Sequence, residues 1–241
     1  NKGFTMKTSK KILALSLAAC MTVPFFTACG DNSTSGDAAS TDAAAADNGA
    51  AASTGASFKI GGIGPITGGA AVYGQAVKNA AEMAVEEINA AGGINGYQID
   101  FKFEDDVHDA EKSVNAYNTL KDWGMQMLMG TVTSTPCQAV VEESHNDNMF
   151  QLTPSGSAIE SIKYDNAFRV CFSDPNQGVG AAQYIGQNNL AEKVAVIYNS
   201  SDTYSSGIYQ NFVTEAEKKG LEVVAAKAFT ADNKTDFSVP V

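Results

Sequence analysis

Three serines, Ser134, Ser155 and Ser157, stand in the settings of this chain that best suit ligand chemistry. Ser134 lies in Gly130-Thr131-Val132-Thr133-Ser134-Thr135-Pro136-Cys137-Gln138, directly after the apolar run Met125-Gln126-Met127-Leu128-Met129. That run predicts a short buried strand ending at Gly130. Thr135 has the residue type of a helix N-cap, Pro136 suits the first helical position, and Gln138 completes a T-x-x-Q capping box. The pattern then returns. Met149-Phe150-Gln151-Leu152 leads into Thr153-Pro154-Ser155-Gly156-Ser157, and Ser157-Ala158-Ile159-Glu160 is a second capping-box signature. Two neighbouring strand ends of this kind would present the three serines and two helix N-termini to one crevice, where free N–H groups favour an anion. Open α/β sheets bind ligands there, outside the carboxyl ends of their strands. Either loop alone reads more readily as plain helix capping, because S/T-x-x-E/Q is common. Two in succession after parallel-type strands point to a small anionic ligand.

Other chemistries find less support. Cys137 and Cys171 lack metal-ligand spacing, and one pair does not define a disulfide. His108 and His145 are far apart, so no metal site is expected. Gly62 and Gly64 do not make a dinucleotide fingerprint, because Pro65 interrupts and Thr67 replaces the third glycine. Asp105-Asp106 precede a helix, where an acidic pair is more often structural than catalytic. No Ser/His/Asp grouping or phosphate loop favours an enzyme, and no cofactor is expected.

The elements that must position the serines follow from periodicity. Phe58-Lys59-Ile60-Gly61-Gly62-Ile63-Gly64-Pro65 predicts a first strand. A helix from about Tyr73 to Ala91 follows, with Val77, Ala81, Ala84, Val85 and Ile88 on one apolar face. Gly92-Gly93 ends it, and Asn95-Gly96 turns into Tyr97 to Glu104, whose strict alternation suits an edge strand. A second amphipathic helix (Ala110, Val114, Tyr117, Leu120) stops at Trp123-Gly124. Past the second hydroxyl loop come a strand at Phe168–Phe172 and a helix start at Asp174-Pro175-Asn176-Gln177. A continuous buried strand at Val194–Tyr198, a helix from Tyr204 to Lys219 capped by Gly220, and a strand from Leu221 to Phe229 complete the series. Strands alternating with helices define an α/β class with parallel sheets.

The chain has 241 residues, 44% of them hydrophobic, enough for a real core in one or two domains. Both ends suggest a piece of a longer protein. Residues 1–5 precede Met6 and read as leader from an open-ended reading frame. Residues 6–28 read as a secretory signal peptide: Lys7, Lys10 and Lys11, then an apolar stretch broken by Ser16, Thr22, Pro24 and Thr27. Phe26-Thr27-Ala28-Cys29-Gly30 resembles a bacterial lipobox with Cys29 as the lipidated residue. Leu17-Ala18-Ala19-Cys20 fits that consensus better, but cleavage there leaves Met21 to Phe26 at the mature N-terminus. Cys29 and the Ala/Ser/Gly/Asp-rich stretch to residue 57 predict a lipidated tether, with a coil span of ~30 Å. The net charge is −11, and four of the sixteen basic residues (Lys2, Lys7, Lys10, Lys11) lie before Cys29. The acidic remainder argues against nucleic acid or anionic lipid as a partner.

Several strings resemble the branched-chain amino-acid binding proteins of ABC importers. They are Gly61-Gly62-Ile63-Gly64-Pro65, Val72-Tyr73-Gly74-Gln75, Glu86 through Gly96, Glu104-Asp105-Asp106, Phe168-Arg169-Val170 and Thr235-Asp236-Phe237-Ser238. The resemblance is collinear from about residue 58 to 238 and includes the lipoprotein leader. It implies a type I periplasmic-binding-protein fold: two parallel-sheet lobes with crossing hinge strands, here residues 58–173 and a truncated second lobe, 174–241, with exposed apolar surface. It further implies that the Ser134 hydroxyl and the Ser157 N–H hold a ligand carboxylate, while the Ser155 carbonyl and the Ser157 hydroxyl take its ammonium. Tyr73 would flank the ligand and Tyr204 approach from the second lobe, though aromatics at such places often simply pack. The chain departs from the pattern at several points. The acidic partner of the ammonium lies beyond Val241, Ser157 replaces the commoner Thr, and Val239-Pro240-Val241 leaves the usual helix pattern. Some members carry a disulfide across the positions of His108 and Thr133, so that bridge is absent here.

The resemblance therefore implies a monomeric, lipid-anchored, non-enzymatic binding protein. It would capture a free amino acid, with Leu, Ile or Val favoured, outside the cell membrane and deliver it to an ABC permease. The alternative is the sensor domain of a signalling receptor for a small amino acid, amide or urea.

Overall fold

The computed structural model describes Gly55 and residues 57–233. The expected leader, signal peptide, Cys20, Cys29 and nearly all of the tether lie outside the described residues, as do Thr235-Asp236-Phe237-Ser238 and Val239-Pro240-Val241.

The apolar runs become strands of two parallel sheets. In the first sheet, β1 (Ser57–Gly64) lies between β2 (Gln98–Asp105) and β3 (Met127–Gly130), followed by β4 (Gln151–Thr153) and β5 (Ala167–Arg169). The alternating segment is the edge strand β2, as expected, but its burial does not alternate: apart from buried Ile99 and exposed Asp100 every residue is half-buried. The order β2-β1-β3-β4-β5 reverses direction beside β1, so the loops after β1 and β3 diverge and open a crevice at their carboxyl ends. Helices α1 (Ala71–Ala90), α2 (Ala110–Asp122) and α3 (Ser134–Asn146) connect these strands. Beyond β5, α4 (Asp174–Gln187) leads to β6 (Lys193–Asn199), α5 (Thr203–Lys218) and β7 (Glu222–Phe229), with β6 and β7 paired in parallel.

Each sheet has its own core. Ile63, Tyr117, Leu120, Met125, Leu128 and Val140 pack under the first, and the Tyr117 hydroxyl donates to Asp147 Oδ2 at 3.0 Å. Ala182, Phe212, Ala216 and Leu221 form the second, joined by half-buried Val194, Val196 and Val223.

Four expectations need correction. The apolar face expected on α1 is only half-buried at Val77, Ala81 and Val85 and is exposed at Ala84 and Ile88. Among the described residues α1 has only β1 and the edge strand β2 as a seat, so much of its circumference stays uncovered. Secondly, β6 is not continuously buried: it alternates, and Ile197 is 56% exposed, because one face of a two-stranded sheet has no cover among the described residues. Thirdly, β5 stops at Arg169, whose side chain turns to the carbonyls of Ser157 and Ala158. The fourth concerns the two helix starts at the serines.

Candidate functional site

The first hydroxyl loop leaves β3 at Gly130 and enters α3 earlier than its capping box predicts. Thr133 is the N-cap and Ser134 the first helical residue, so Pro136 is third. No side chain caps this end. The Thr133 hydroxyl is instead 2.9 Å from His108 Nδ1, and the Gln138 amide donates to Glu160 Oε2 at 3.3 Å. Tertiary partners outcompete the local box. The second expected helix is a single 3-10 turn, Ile159–Ile162, also without a side-chain cap. Its entry is held extended by Arg169, whose Nη1 donates to the carbonyls of Ser157 and Ala158 at 2.8 and 2.9 Å. The crevice therefore receives one α-helix N-terminus, not two.

The two hydroxyl loops clasp each other. The Ser155 hydroxyl donates to the Val132 carbonyl at 2.5 Å, and the Thr153 hydroxyl to the Thr131 carbonyl at 2.6 Å. Ser134 Oγ accepts from the Ala158 N–H at 3.2 Å, and Thr153 Oγ1 accepts from the Gly156 N–H at 2.7 Å. Below them lies Gln151, fully buried. Its Nε2 donates to the Gly130 carbonyl at 2.9 Å and its Oε1 accepts from the Ser144 hydroxyl at 2.6 Å. Ser134 and Ser157 are each 3% exposed, whereas Ser155 is exposed. Because Ser134 Oγ is bonded here only as an acceptor, its own proton can go to a ligand oxygen. The N–H groups of Ser134 and Thr135 in the first turn of α3 have no intrahelical partner. That arrangement suits a carboxylate.

The structure brings the serine loops together more tightly than it does the tyrosines. Tyr73 stands in the first turn of α1, at the carboxyl end of β1, and is 64% exposed. Tyr204 stands in the first turn of α5, with its hydroxyl donating to Gln177 Oε1 at 3.1 Å. Among the described residues, no hydrogen bond joins either tyrosine to the serines. The start of α5 does touch the start of α3. The Thr135 and Thr203 hydroxyls are 3.3 Å apart, and His108 Nε2 lies 3.8 Å from Asp202 Oδ1. Where relatives were expected to carry a disulfide, a hydrogen bond joins His108 to Thr133.

A cavity of about 460 Å³ opens beside this contact, lined by Ala158, Asp174, Asp202 and Ser206 among others. It reaches the serine loop at Ala158, and the three serines lie outside its lining. Asp174 begins α4, its N–H donating to the Ser157 carbonyl at 3.0 Å. Burial pushes its carboxyl up, against the opposing effects of the Ser157 hydroxyl and the Arg169 charge.

The acidic pair at the end of β2 is engaged in local hydrogen bonds. Asp105 accepts from the Ile66 N–H at 2.9 Å, the Val107 N–H at 3.0 Å and the Thr67 hydroxyl, pinning the loop that leads to Tyr73. Burial works against its ionisation, but the Thr67, Val107 and Ile66 hydrogen bonds outweigh this and hold its carboxyl low. Asp106 is fully buried, and burial pushes its carboxyl up to about 6. The His108 N–H opposes that rise, and the charges of Asp105 and Asp109 add to it. Cys137 and Cys171 are free, with both thiols pushed up by burial. Sequence reasoning missed Gln151, Thr153, Arg169 and Asp174. A polar residue inside a short apolar strand was the available signal for Gln151.

Comparison with known proteins bears on the family and the fold. Residues 57–241 match the profile of a family described as periplasmic binding protein. The chain is 34% identical over 181 residues to Leu/Ile/Val-binding protein homolog 3 of Brucella melitensis, covering 74% of this chain and 49% of that protein. It is 32% identical over 177 residues to the leucine-, isoleucine-, valine-, threonine- and alanine-binding protein of Pseudomonas aeruginosa, covering 73% and 47%. The chain thus spans about half the length of the relatives it matches. Among solved structures, it superposes with a TM-score of 0.70 and 29% identity on a branched-chain amino acid transporter substrate binding protein of Streptococcus pneumoniae in complex with isoleucine. That match covers 76% of this chain and 52% of the other. A leucine binding protein of Thermotoga maritima shares the fold, with a TM-score of 0.69 at 24% identity and 75% and 51% coverage. The chain belongs to the periplasmic binding protein family.

Proposed function

We propose that this chain is the ligand-binding part of an extracytoplasmic solute-binding protein that captures an amino acid and delivers it to an ABC permease. Branched-chain amino acids are the favoured ligands, and a lipid on Cys29 is the proposed anchor. The observation that carries this reading is the clasp of the two hydroxyl loops at the N-terminus of α3. It leaves the Ser134 hydroxyl bonded only as an acceptor, beside the uncapped first turn of α3. There a carboxylate gains charge-assisted hydrogen bonds in a partly desolvated crevice. The Ser155 carbonyl and Ser157 hydroxyl take the ammonium, with Tyr73 and Tyr204 closing over the ligand from α1 and α5. The Thr135–Thr203 contact is where the two parts of the cleft meet on closure. Relatives named as Leu/Ile/Val-binding proteins support the ligand class.

The test is calorimetric titration of the full-length protein with leucine, isoleucine and valine. Ser134→Ala is expected to weaken binding by about 10- to 100-fold, the worth of one hydrogen bond to a charged group. Unchanged affinity in that variant would remove Ser134 from the site.

A further inference from the structure

The turn at residues 106–109, between β2 and α2, touches both sides of the crevice. It holds two consecutive residues in the left-handed region, Val107 at φ +53° and His108 at φ +62°. Among the described residues the other non-glycine residues of this kind are Asn95, Asn148 and Asn189, and asparagine tolerates that region through its short polar side chain. A β-branched valine there is an outlier that its surroundings must hold in place. Asp105 Oδ1 accepts from the Val107 N–H at 3.0 Å, and Asp106 Oδ1 accepts from the His108 N–H at 2.9 Å. So held, Val107 lies against Gly68 before α1, where an added Cβ would be 3.2 Å from Val107 Cγ1.

The His108 ring spans the crevice. Its Nδ1 lies 2.9 Å from the hydroxyl of Thr133, the N-cap of α3, and its Nε2 lies 3.8 Å from Asp202 Oδ1. Asp202 is the N-cap of α5, and its other oxygen accepts from the Ser205 N–H at 3.0 Å. One carboxylate oxygen thus fixes the helix while the other faces the ring. Among the described residues His108 is the one basic group within ion-pair distance of Asp202. Beside it the Thr135 and Thr203 hydroxyls meet at 3.3 Å, a neutral contact. The charged groups nearest the ring in its own segment are Asp105, Asp106 and Asp109, with Glu111 and Lys112 following in the first turn of α2. Those groups accompany His108 whether the cleft is open or closed. Asp202 alone belongs to the other side.

A histidine is the side chain that gains its charge between about pH 5 and 8. At 3.8 Å a neutral ring makes no hydrogen bond to Asp202, whereas a charged ring makes an ion pair. We propose that His108 is a pH-sensitive latch of the cleft: its protonated ring draws Asp202, and with it the start of α5, onto the serine loop, favouring the closed, ligand-holding arrangement. This rests on the solute-binding reading and extends it to regulation. The closed state gives the ring an anionic partner that the open state lacks, so it binds the proton more tightly. The added ligand affinity is therefore full at low pH and is lost as pH rises through the closed-state value. Asp106, pushed up to about 6 by burial, changes charge in the same range, but the group it accepts from, the His108 N–H, lies in its own turn.

The experiment is a double-mutant cycle on the full-length protein: wild type, His108→Asn, Asp202→Asn and both together. Each is titrated calorimetrically with leucine, isoleucine and valine at about pH 5.5 and about pH 8, on either side of the histidine range. Asparagine tolerates the backbone of residue 108 and keeps the cap at residue 202, while removing each charge. At the lower pH each single variant is expected to bind about two- to five-fold more weakly than wild type, the worth of a partly exposed ion pair, and the double variant no more weakly than either. At the higher pH the coupling should vanish. Coupling absent at both pH values, or equal at both, would overturn the latch. If His108→Asn does not fold, the pH profile of Asp202→Asn decides, and a profile as steep as that of wild type refutes the proposal. If wild type binds none of the three amino acids, the importer reading falls, and the latch is judged without ligand. The signal missing from His108→Asn identifies the His108 ring by nuclear magnetic resonance. That ring should titrate at lower pH in Asp202→Asn than in wild type, and an unmoved midpoint overturns the contact.

Discussion

Gly74 offers a test in which two physical effects predict opposite signs. It lies in the first turn of α1, one residue after Tyr73, and is the buried residue of that helix. A Cβ there would stand 1.9 Å from the Pro65 carbonyl oxygen, 2.5 Å from its carbon and 2.9 Å from its nitrogen. All three atoms are backbone, so no rotamer change relieves the overlap. Reaching ordinary contact at ~3.5 Å requires α1 and the loop after β1 to part by roughly 1.5 Å. Helix propensity alone would make Gly74→Ala stabilising by about 1 kcal/mol. Overpacking of this kind costs about 1–3 kcal/mol or more, and backbone on both sides puts this site at or above the upper end. We expect a net loss of about 2 kcal/mol, which lowers the melting temperature by about 4–8 °C for a protein of this size. Because α1 carries Tyr73, ligand affinity should fall as well. Differential scanning calorimetry checks the first effect and titration the second. An alanine variant as stable as wild type, or more so, would refute the close approach of α1 to Pro65.

Other residues give independent tests. The folded value of Asp106, about 6, lies above the ~3.9 of an unfolded chain, so the folded state holds this proton more tightly. Its contribution to stability is full below pH ~4, declines as pH rises to about 6, and at neutral pH amounts to a cost of roughly 3 kcal/mol. Asp106→Asn should flatten that decline in urea unfolding measured at several pH values, and an unchanged slope would show that Asp106 ionises normally. Gln151→Leu keeps the volume but leaves the Gly130 carbonyl and the Ser144 hydroxyl without their amide partner. It should cost about 2–3 kcal/mol by urea unfolding, and a loss under about 0.5 kcal/mol would contradict its role beneath the serine loop.

The α/β alternation was legible because each element follows its own period. Edge strand β2 shows its strict alternation, and α5 is closed by Gly220, which has φ +70°. Helix starts were less legible. The boxes at Thr135–Gln138 and Ser157–Glu160 are sound local signals, but His108, Ala158 and Arg169 compete for the same loops from elsewhere in the chain. No local pattern encodes those partners. The α1 face misled for a related reason: periodicity shows that Val77, Val85 and Ile88 share a side, not what covers it. Among the candidate residues, the serines were legible from their position at strand ends. Asp174 sat unnoticed inside a helix-start motif, since its burial is a property of the packed structure.

The central claim is that the serine clasp holds a free amino acid, and ligand-dependent thermal unfolding of the full-length protein tests it most directly. Each amino acid is added singly, with simple amides and urea alongside. Leucine, isoleucine or valine should raise the transition, because a ligand at 1,000 times its dissociation constant adds about 4 kcal/mol to the folded state. A transition that no amino acid moves, in protein that melts cooperatively, would contradict the claim.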